Sequence, residues 1–275
     1  MTDTLRLRIL GCGSSGGVPR LGGADEAGNW GACDPENPRN RRRRCSILVK
    51  RIGAKGETRV LVDTSPDLRE QLLEARVGRL DGVLITHDHA DQTHGMDDLR
   101  AIALNVHART GVWSDAATWS SLMLKFGYCF VQPEGSDYPP ILNAYDIAEP
   151  FRPFAIKGPG GEVAVLAFPQ IHGRVKSLGF RFGPVAYSSD VDELPDQAFE
   201  ALAGVECWIV DALRRAPHPS HAHLALSLAW IARVKPRRAI LTNMHLDMDY
   251  ETLRKELPQG VEPAFDGMTL EFKMS

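Results

Sequence analysis

One segment limits the folds open to this chain more than any other. The apolar run Gly82-Val-Leu-Ile-Thr86 passes without a break into His87-Asp-His89-Ala-Asp91-Gln92-Thr-His94-Gly95, and a helical pattern follows. Two imidazoles two residues apart at a strand end can converge on one ion, and the carboxylate two residues later can reach a neighbouring one. Nitrogen and oxygen donors in this arrangement suit Zn²⁺, Fe or Mn²⁺. A lone histidine is ordinarily a hydrogen-bonding group and no more; a cluster of them at a strand end calls for another explanation.

Two later strands end in the same way. The strand Glu162–Phe168 leads into Pro-Gln-Ile-His172, and Val185–Ser188 leads into Ser189-Asp190. Each places a ligand-type side chain where an open α/β sheet presents its functional edge. A strand-end aspartate alone is usually a turn former, but His87, His89, His172 and Asp190 together make a chemically sensible metal site.

The rest of the chain sets bounds on that reading. With 275 residues there is material for a large core, and 43% hydrophobic against 24% charged residues is ordinary for a globular protein. The net charge of −3 gives no basic field for nucleic acid. No apolar run approaches the roughly 18 residues of a membrane span. The N-terminal Met1–Gly13 reads as a first strand, not a signal peptide. The five cysteines form no CxxC pair, so neither a disulfide framework nor a cysteine-rich zinc site is expected, and a reducing cytoplasm fits.

Strands are expected at Leu5–Leu10, Ser46–Lys50, Arg59–Val62, Gly82–Thr86, Glu162–Phe168, Gly179–Phe182, Val185–Ser188, Cys207–Val210, Ala239–Leu241 and Met268–Phe272. Helices are expected at Pro66–Ala75, Met96–Asn105, Ala116–Lys125, His223–Val234 and Tyr250–Glu256. The alternation points to mixed sheets covered by helices. Pro139–Pro153 reads as an irregular connection inside one domain, residues 1–275, because ligand candidates lie on both sides of it.

The order strand, His-x-His-x-Asp, helix, then His172, Asp190 and the post-strand Leu241-Thr242-Asn243 resembles the metallo-β-lactamase superfamily. Leu10-Gly-Cys-Gly-Ser-Ser-Gly-Gly-Val-Pro19, Arg43-Arg44-Cys45-Ser46 and Phe265-Asp266-Gly267-Met268 are similar to the branch containing the cyclic phosphodiesterase of the carbon–phosphorus lyase pathway. The tRNA 3′-processing ribonuclease and the pyrroloquinoline quinone accessory protein are more distant. The resemblance covers nearly the whole chain. It implies an αββα sandwich with metals at one edge, and Asp63 as a strand-end carboxylate supporting the metal loop from behind.

The chain departs from the family pattern at Gln92 and Asn243, where histidines are expected. Both fall on the second metal site; the four ligands of the first are intact. Two amides in place of two imidazoles should weaken Zn²⁺ and favour harder ions. The expectation is a divalent cofactor, Zn or Mn, with one tight site and one weaker site carried by Asp91 and Asp190 with the amide oxygens of Gln92 and Asn243. His94 or His245 are alternative ligands. The branch also carries a cysteine cluster and a late histidine for a structural zinc. Here only Cys33 remains and Leu246 stands at the histidine position, so no structural zinc is expected.

In Asp211-Ala-Leu-Arg-Arg-Ala-Pro-His218-Pro-Ser-His221-Ala-His223, His221 matches the branch's catalytic histidine and reads as a helix-start general acid. His223 orients it or contacts phosphate, and His218 reads as solvent-exposed. Asp91 and Asp190 are the catalytic carboxylates, and Ser14 and Ser15 of the glycine-rich loop are substrate-binding. That loop is no P-loop, since no Gly-Lys-Ser/Thr follows. Arg41–Arg44 reads as a solvated run or a phosphate contact, and Trp113, Trp119 and Tyr128 as packing residues. The function that follows is metal-dependent hydrolysis of a small phosphodiester, cyclic phosphate or nucleotide. Thioester or lactone hydrolysis, or phosphate binding without catalysis, are the alternatives. The expected partner is a small phosphate compound, with neither a membrane nor a long nucleic acid; a homodimer is compatible with the sequence and not required by it.

Overall fold

The computed structural model describes residues 3–274. Strands β1 (Thr4–Gly11), β2 (Ser46–Gly53), β3 (Gly56–Val62), β4 (Gly82–Leu84), β5 (Thr110–Ser114) and β6 (Leu142–Asp146) form one sheet. Strands β7 (Phe154–Gly158), β8 (Gly161–His172), β9 (Val175–Phe182), β10 (Val185–Ser188), β11 (Cys207–Asp211), β12 (Arg238–Thr242) and β13 (Val261–Pro263) form the other. β14 (Thr269–Lys273) returns to pair antiparallel with β1, giving seven strands in each sheet. Each sheet begins antiparallel and turns parallel, from β3 to β6 and from β10 to β13.

Alternating side chains build the layers. In β2, Ile47 and Val49 enter the core between the sheets, against residues such as Phe168 and Phe180. Leu48, one step out of phase, joins the second core beneath the helices α1 (Leu68–Glu74), α3 (Leu99–Val106) and α4 (Ala116–Phe130). That two-residue period is the pleat of a strand buried on both faces. Short α2 (Ala90–Thr93) carries the metal loop; α5 (Asp196–Leu202), α6 (Leu224–Val234) and α7 (Tyr250–Glu256) belong to the second half. The result is the αββα sandwich. No described helix is long and apolar enough to cross a membrane.

Several strands lie outside the sequence expectation. β6 sits inside Pro139–Pro153, which is therefore not wholly irregular, and β5, β7 and β13 join the sheets as well. Strand β8 runs through Pro169 to His172 itself, so that ligand candidate ends the strand rather than following it. Trp119 is buried, while Trp113 stacks on Tyr145 with ring centroids 4.6 Å apart; Tyr128 is exposed.

The motifs near the termini meet at one corner. The Asp266 carboxylate accepts from the backbone N–H of Cys12 at 3.1 Å and of Arg43 at 2.8 Å, and from Arg43 Nε. A Cβ on Gly11 would sit 2.0 Å from the Arg44 carbonyl oxygen, so only glycine permits that approach. The basic run is absorbed by structure. Arg43 pairs with Glu74 and Asp266, Arg44 pairs with Asp67, and Arg41 covers the Trp30 ring. Arg42 is buried, donating to the carbonyl of Met248 at 2.7 Å and facing Cys33 Sγ at 3.8 Å.

Candidate metal centre and catalytic groups

The candidate ligands converge because strands of both sheets end at one edge. His87 and His89 follow β4, His172 ends β8, Asp190 follows β10, and Asn243 follows β12. The rings of His87, His89 and His172 meet edge to face with centroids 4.5 to 5.1 Å apart, and their ligand atoms lie within 4.8 Å of one another. Three imidazoles at this spacing suit a shared cation. His87 Nε2 is buried with no hydrogen-bond partner, an unmet lone pair that a divalent ion would satisfy. Burial holds the His87 imidazole down at about 3, leaving it neutral and able to ligate. The residues of the first site thus fit a metal ion.

Behind them lies a supporting layer. Asp63, directly after β3, accepts from Thr86 N at 2.8 Å and from Thr86 Oγ1 at 3.0 Å; Thr86 Oγ1 is in turn 2.9 Å from His87 Nδ1. The Ser220 carbonyl bonds His172 Nδ1. Outer partners of this kind fix ring orientation and tautomer. Asp63 and Asn243 both take left-handed backbone, φ 63° and 60°, a conformation tolerated best by Asp and Asn.

Gln92 and Asn243 both reach Asp190, but with their nitrogens. Gln92 Nε2 donates to Asp190 Oδ2 at 2.8 Å, and Asn243 Nδ2 to Oδ1 at 3.4 Å. Of the amide oxygens expected toward a second ion, Asn243 Oδ1 lies 3.9 Å from the Cys45 thiol, and Gln92 Oε1 is buried without a partner. A carboxylate accepts only, so the NH₂ groups face it.

His221 lies before α6, whose N-cap is His223 and whose first residue is Leu224, so it is not a helix-start residue. A carboxylate holds it instead. His221 Nδ1 donates to Asp211 Oδ2 at 2.9 Å and lies 3.9 Å from Asp190 Oδ1. Burial alone would depress this imidazole, but Asp211, with Asp190 and Asp91 behind it, outweighs burial and raises it to about 9. Burial and the neighbouring Asp190 push Asp91 up to about 6.

A cavity of about 290 Å³ opens over these groups. Its wall includes His89, Asp91, His172, Asp190 and His221, with Ser14 and Ser15 as expected. His223 is not among the lining residues, whereas His218 is, its ring centroid 5.1 Å from that of His221. His94 is exposed and packs on Phe126, away from the cavity; His245 lines it and bonds Asp247 at 3.2 Å. Sequence reasoning missed Asp211, Arg20 and Arg214. Asp211 had a signal, a strand-end acid like Asp63 and Asp190; the two arginines come from loops and had none.

Fold and ligand cluster define a metallo-β-lactamase-fold hydrolase. The chain belongs to the beta-lactamase superfamily, whose domain matches residues 58–244. Within it, the chain is similar to a diphosphatase from the PhnP family, 31% identical over 100% of this chain and 99% of that one, with a TM-score of 0.86. Zn²⁺-bound PqqB from Methylobacterium extorquens shares the fold at 17% identity, covering 96% of this chain and 99% of that one, TM-score 0.73. So does the short form of human tRNase Z, at 16% identity, 96% and 98% coverage and TM-score 0.60. A curated relative, an octanoyltransferase of Porphyromonas gingivalis, is 29% identical over 96% of this chain; the chain spans about half of it, 51%. The family binds divalent metals, commonly zinc.

Proposed function

We propose that this chain hydrolyses small phosphodiesters, with a divalent ion, Zn²⁺ or Mn²⁺, at His87, His89, His172 and Asp190. The observation that carries this reading is the Asp211–His221 pair, set beside His172 and Asp190 in a polar cavity. When bound, the ion would polarise the phosphate and lower the pKa of an attacking water. His221 Nδ1 is held by Asp211, which leaves Nε2 as the ring nitrogen that delivers a proton to the leaving oxygen. Asp91 lies on the same wall, placed to take the proton of the attacking water. Arg20 and Arg214 line the cavity and offset phosphate charge, and Ser14 and Ser15 add hydrogen bonds.

The diphosphatase similarity supports phosphorus chemistry. A cavity of about 290 Å³ supports a small substrate. A thioester with an acyl chain would need an apolar wall, and Leu213 is the one apolar residue lining this cavity. The test is a panel of bis(p-nitrophenyl) phosphate, an acyl thioester and a lactone, run on metal-stripped and Mn²⁺- or Zn²⁺-reloaded protein. Metal-dependent turnover of the phosphodiester alone is expected. Preference for the thioester or lactone overturns the reading, and binding of phosphate without turnover of any member makes the chain a non-hydrolytic binder.

A further inference from the structure

The positions that would complete a second metal site do something else in this chain. We infer that Gln92 and Asn243 form an amide clasp on Asp190 that takes the place of a second ion, so that the centre holds one metal. The inference rests on the metal-centre assignment above, not on the identity of the substrate.

Three observations carry it. First, both amides present donors. Gln92 Nε2 and Asn243 Nδ2 point at the two oxygens of Asp190, and an N–H group cannot ligate a cation. Second, Asn243 has a partner behind it. The buried Cys45 thiol faces Asn243 Oδ1 at 3.9 Å, so the amide oxygen has an acceptor role on the side away from Asp190. Turning the amide over would break that contact and set a carbonyl dipole against the carboxylate. Third, Asp190 has no oxygen left wholly free. Each oxygen already accepts an amide N–H, which takes two of the roughly four lone pairs of the carboxylate and competes with a bridging ion for the rest. The His221 ring, 3.9 Å from Asp190 Oδ1, occupies the adjoining space.

All three groups are buried: Gln92 is 0%, Asn243 1% and Asp190 2% exposed. Hydrogen bonds to a buried charge are stronger than neutral ones, and releasing them without replacement is costly. The clasp holds Asp190 toward the first ion in the way that a second ion would. It also leaves Asp91 free of ligation on the cavity wall.

The test uses the full chain, stripped and reloaded with excess Mn²⁺, then passed through gel filtration. Metal per chain is measured by mass spectrometry, and spin coupling by electron paramagnetic resonance. Wild type should retain one equivalent with an uncoupled manganese spectrum, and Asp91→Asn should retain the same one. Gln92→His with Asn243→His should retain two, with an exchange-coupled spectrum. Two equivalents in wild type, or a loss of metal in Asp91→Asn, overturns the inference. So does a folded double variant that still holds one, since the amides would then not be what excludes the second ion. Neither readout uses a substrate, so a wrong substrate assignment leaves both unchanged. A wild-type protein that retains no metal overturns the metal-centre reading and this inference together.

Discussion

Asp211 Oδ2 lies 2.9 Å from His221 Nδ1, and the aspartate is fully buried at the end of β11. Its charge outweighs the burial that would otherwise depress the imidazole and holds it protonated up to about 9. A general acid must carry its proton, so turnover of an alkyl phosphodiester should fall only as pH rises through that value. Asp211→Asn removes the charge, and the alkaline limb should move to lower pH while metal content stays. An unshifted limb in a folded Asp211→Asn protein would show that the pair does not set the acid.

The leaving group discriminates the role of His221 itself. An alkoxide needs a proton in the transition state, whereas p-nitrophenolate hardly does. His221→Ala should cost about 10²–10⁴ in rate on an alkyl phosphodiester and much less on a nitrophenyl ester. Equal losses on both would make His221 a phosphate-positioning group. Since His172, Asp190 and His221 also lie within 4.8 Å of one another, loss of metal would make it a ligand.

Metal affinity should fall in two grades. His172→Ala removes one of three converging imidazoles and should abolish tight binding. Asp63→Ala leaves the ligands in place but frees Thr86 and, through it, His87 Nδ1. Loss of such an outer partner costs about 10–100-fold in affinity. Calorimetric titration ranks them; unchanged affinity in His172→Ala would show that the ligand set is misassigned.

How much of this could be read from the sequence follows from how each group is placed. His87, His89, His172 and Asp190 were legible because each stands at or just after the end of an apolar strand, and these strand ends share one edge. Asp211 carried the same signature, yet its role depends on a loop folding back ten residues later to bring His221 onto it. Arg20 and Arg214 reach the cavity from loops, where no periodicity reports direction. Local spacing does not show which way His94 and His223 face: neither lines the cavity. The same limit hid β5 and β6, short parallel strands with neither a long apolar run nor a hairpin turn. The amides at 92 and 243 were visible as departures, but that their nitrogens face Asp190 is a matter of tertiary partners such as Cys45.

One prediction concerns stability and not chemistry. Asp249 caps α7, accepting from Thr252 N at 2.9 Å and Thr252 Oγ1 at 2.8 Å, and also from Asn40 Nδ2 at 2.7 Å. Burial would raise this carboxyl, but these donors outweigh it and hold it at about 2. An unfolded aspartate titrates near ~3.9. The stabilisation is therefore complete above that value and is lost as pH falls from there toward 2. Asp249→Ala should cost about 0.5–2 kcal/mol at neutral pH, and denaturant midpoints of variant and wild type should converge in that acid window. A difference that persists at low pH would show that packing, not the charge, is what Asp249 supplies.

The claim that water is added at phosphorus is tested most directly by isotope transfer. An alkyl phosphodiester is turned over by the metal-loaded protein in ¹⁸O-labelled water, and the product is followed by phosphorus magnetic resonance and mass spectrometry. The account predicts one labelled oxygen in the phosphomonoester and none in the released alcohol. Label in the alcohol, or no turnover of the phosphodiester while a thioester is cleaved, would contradict it.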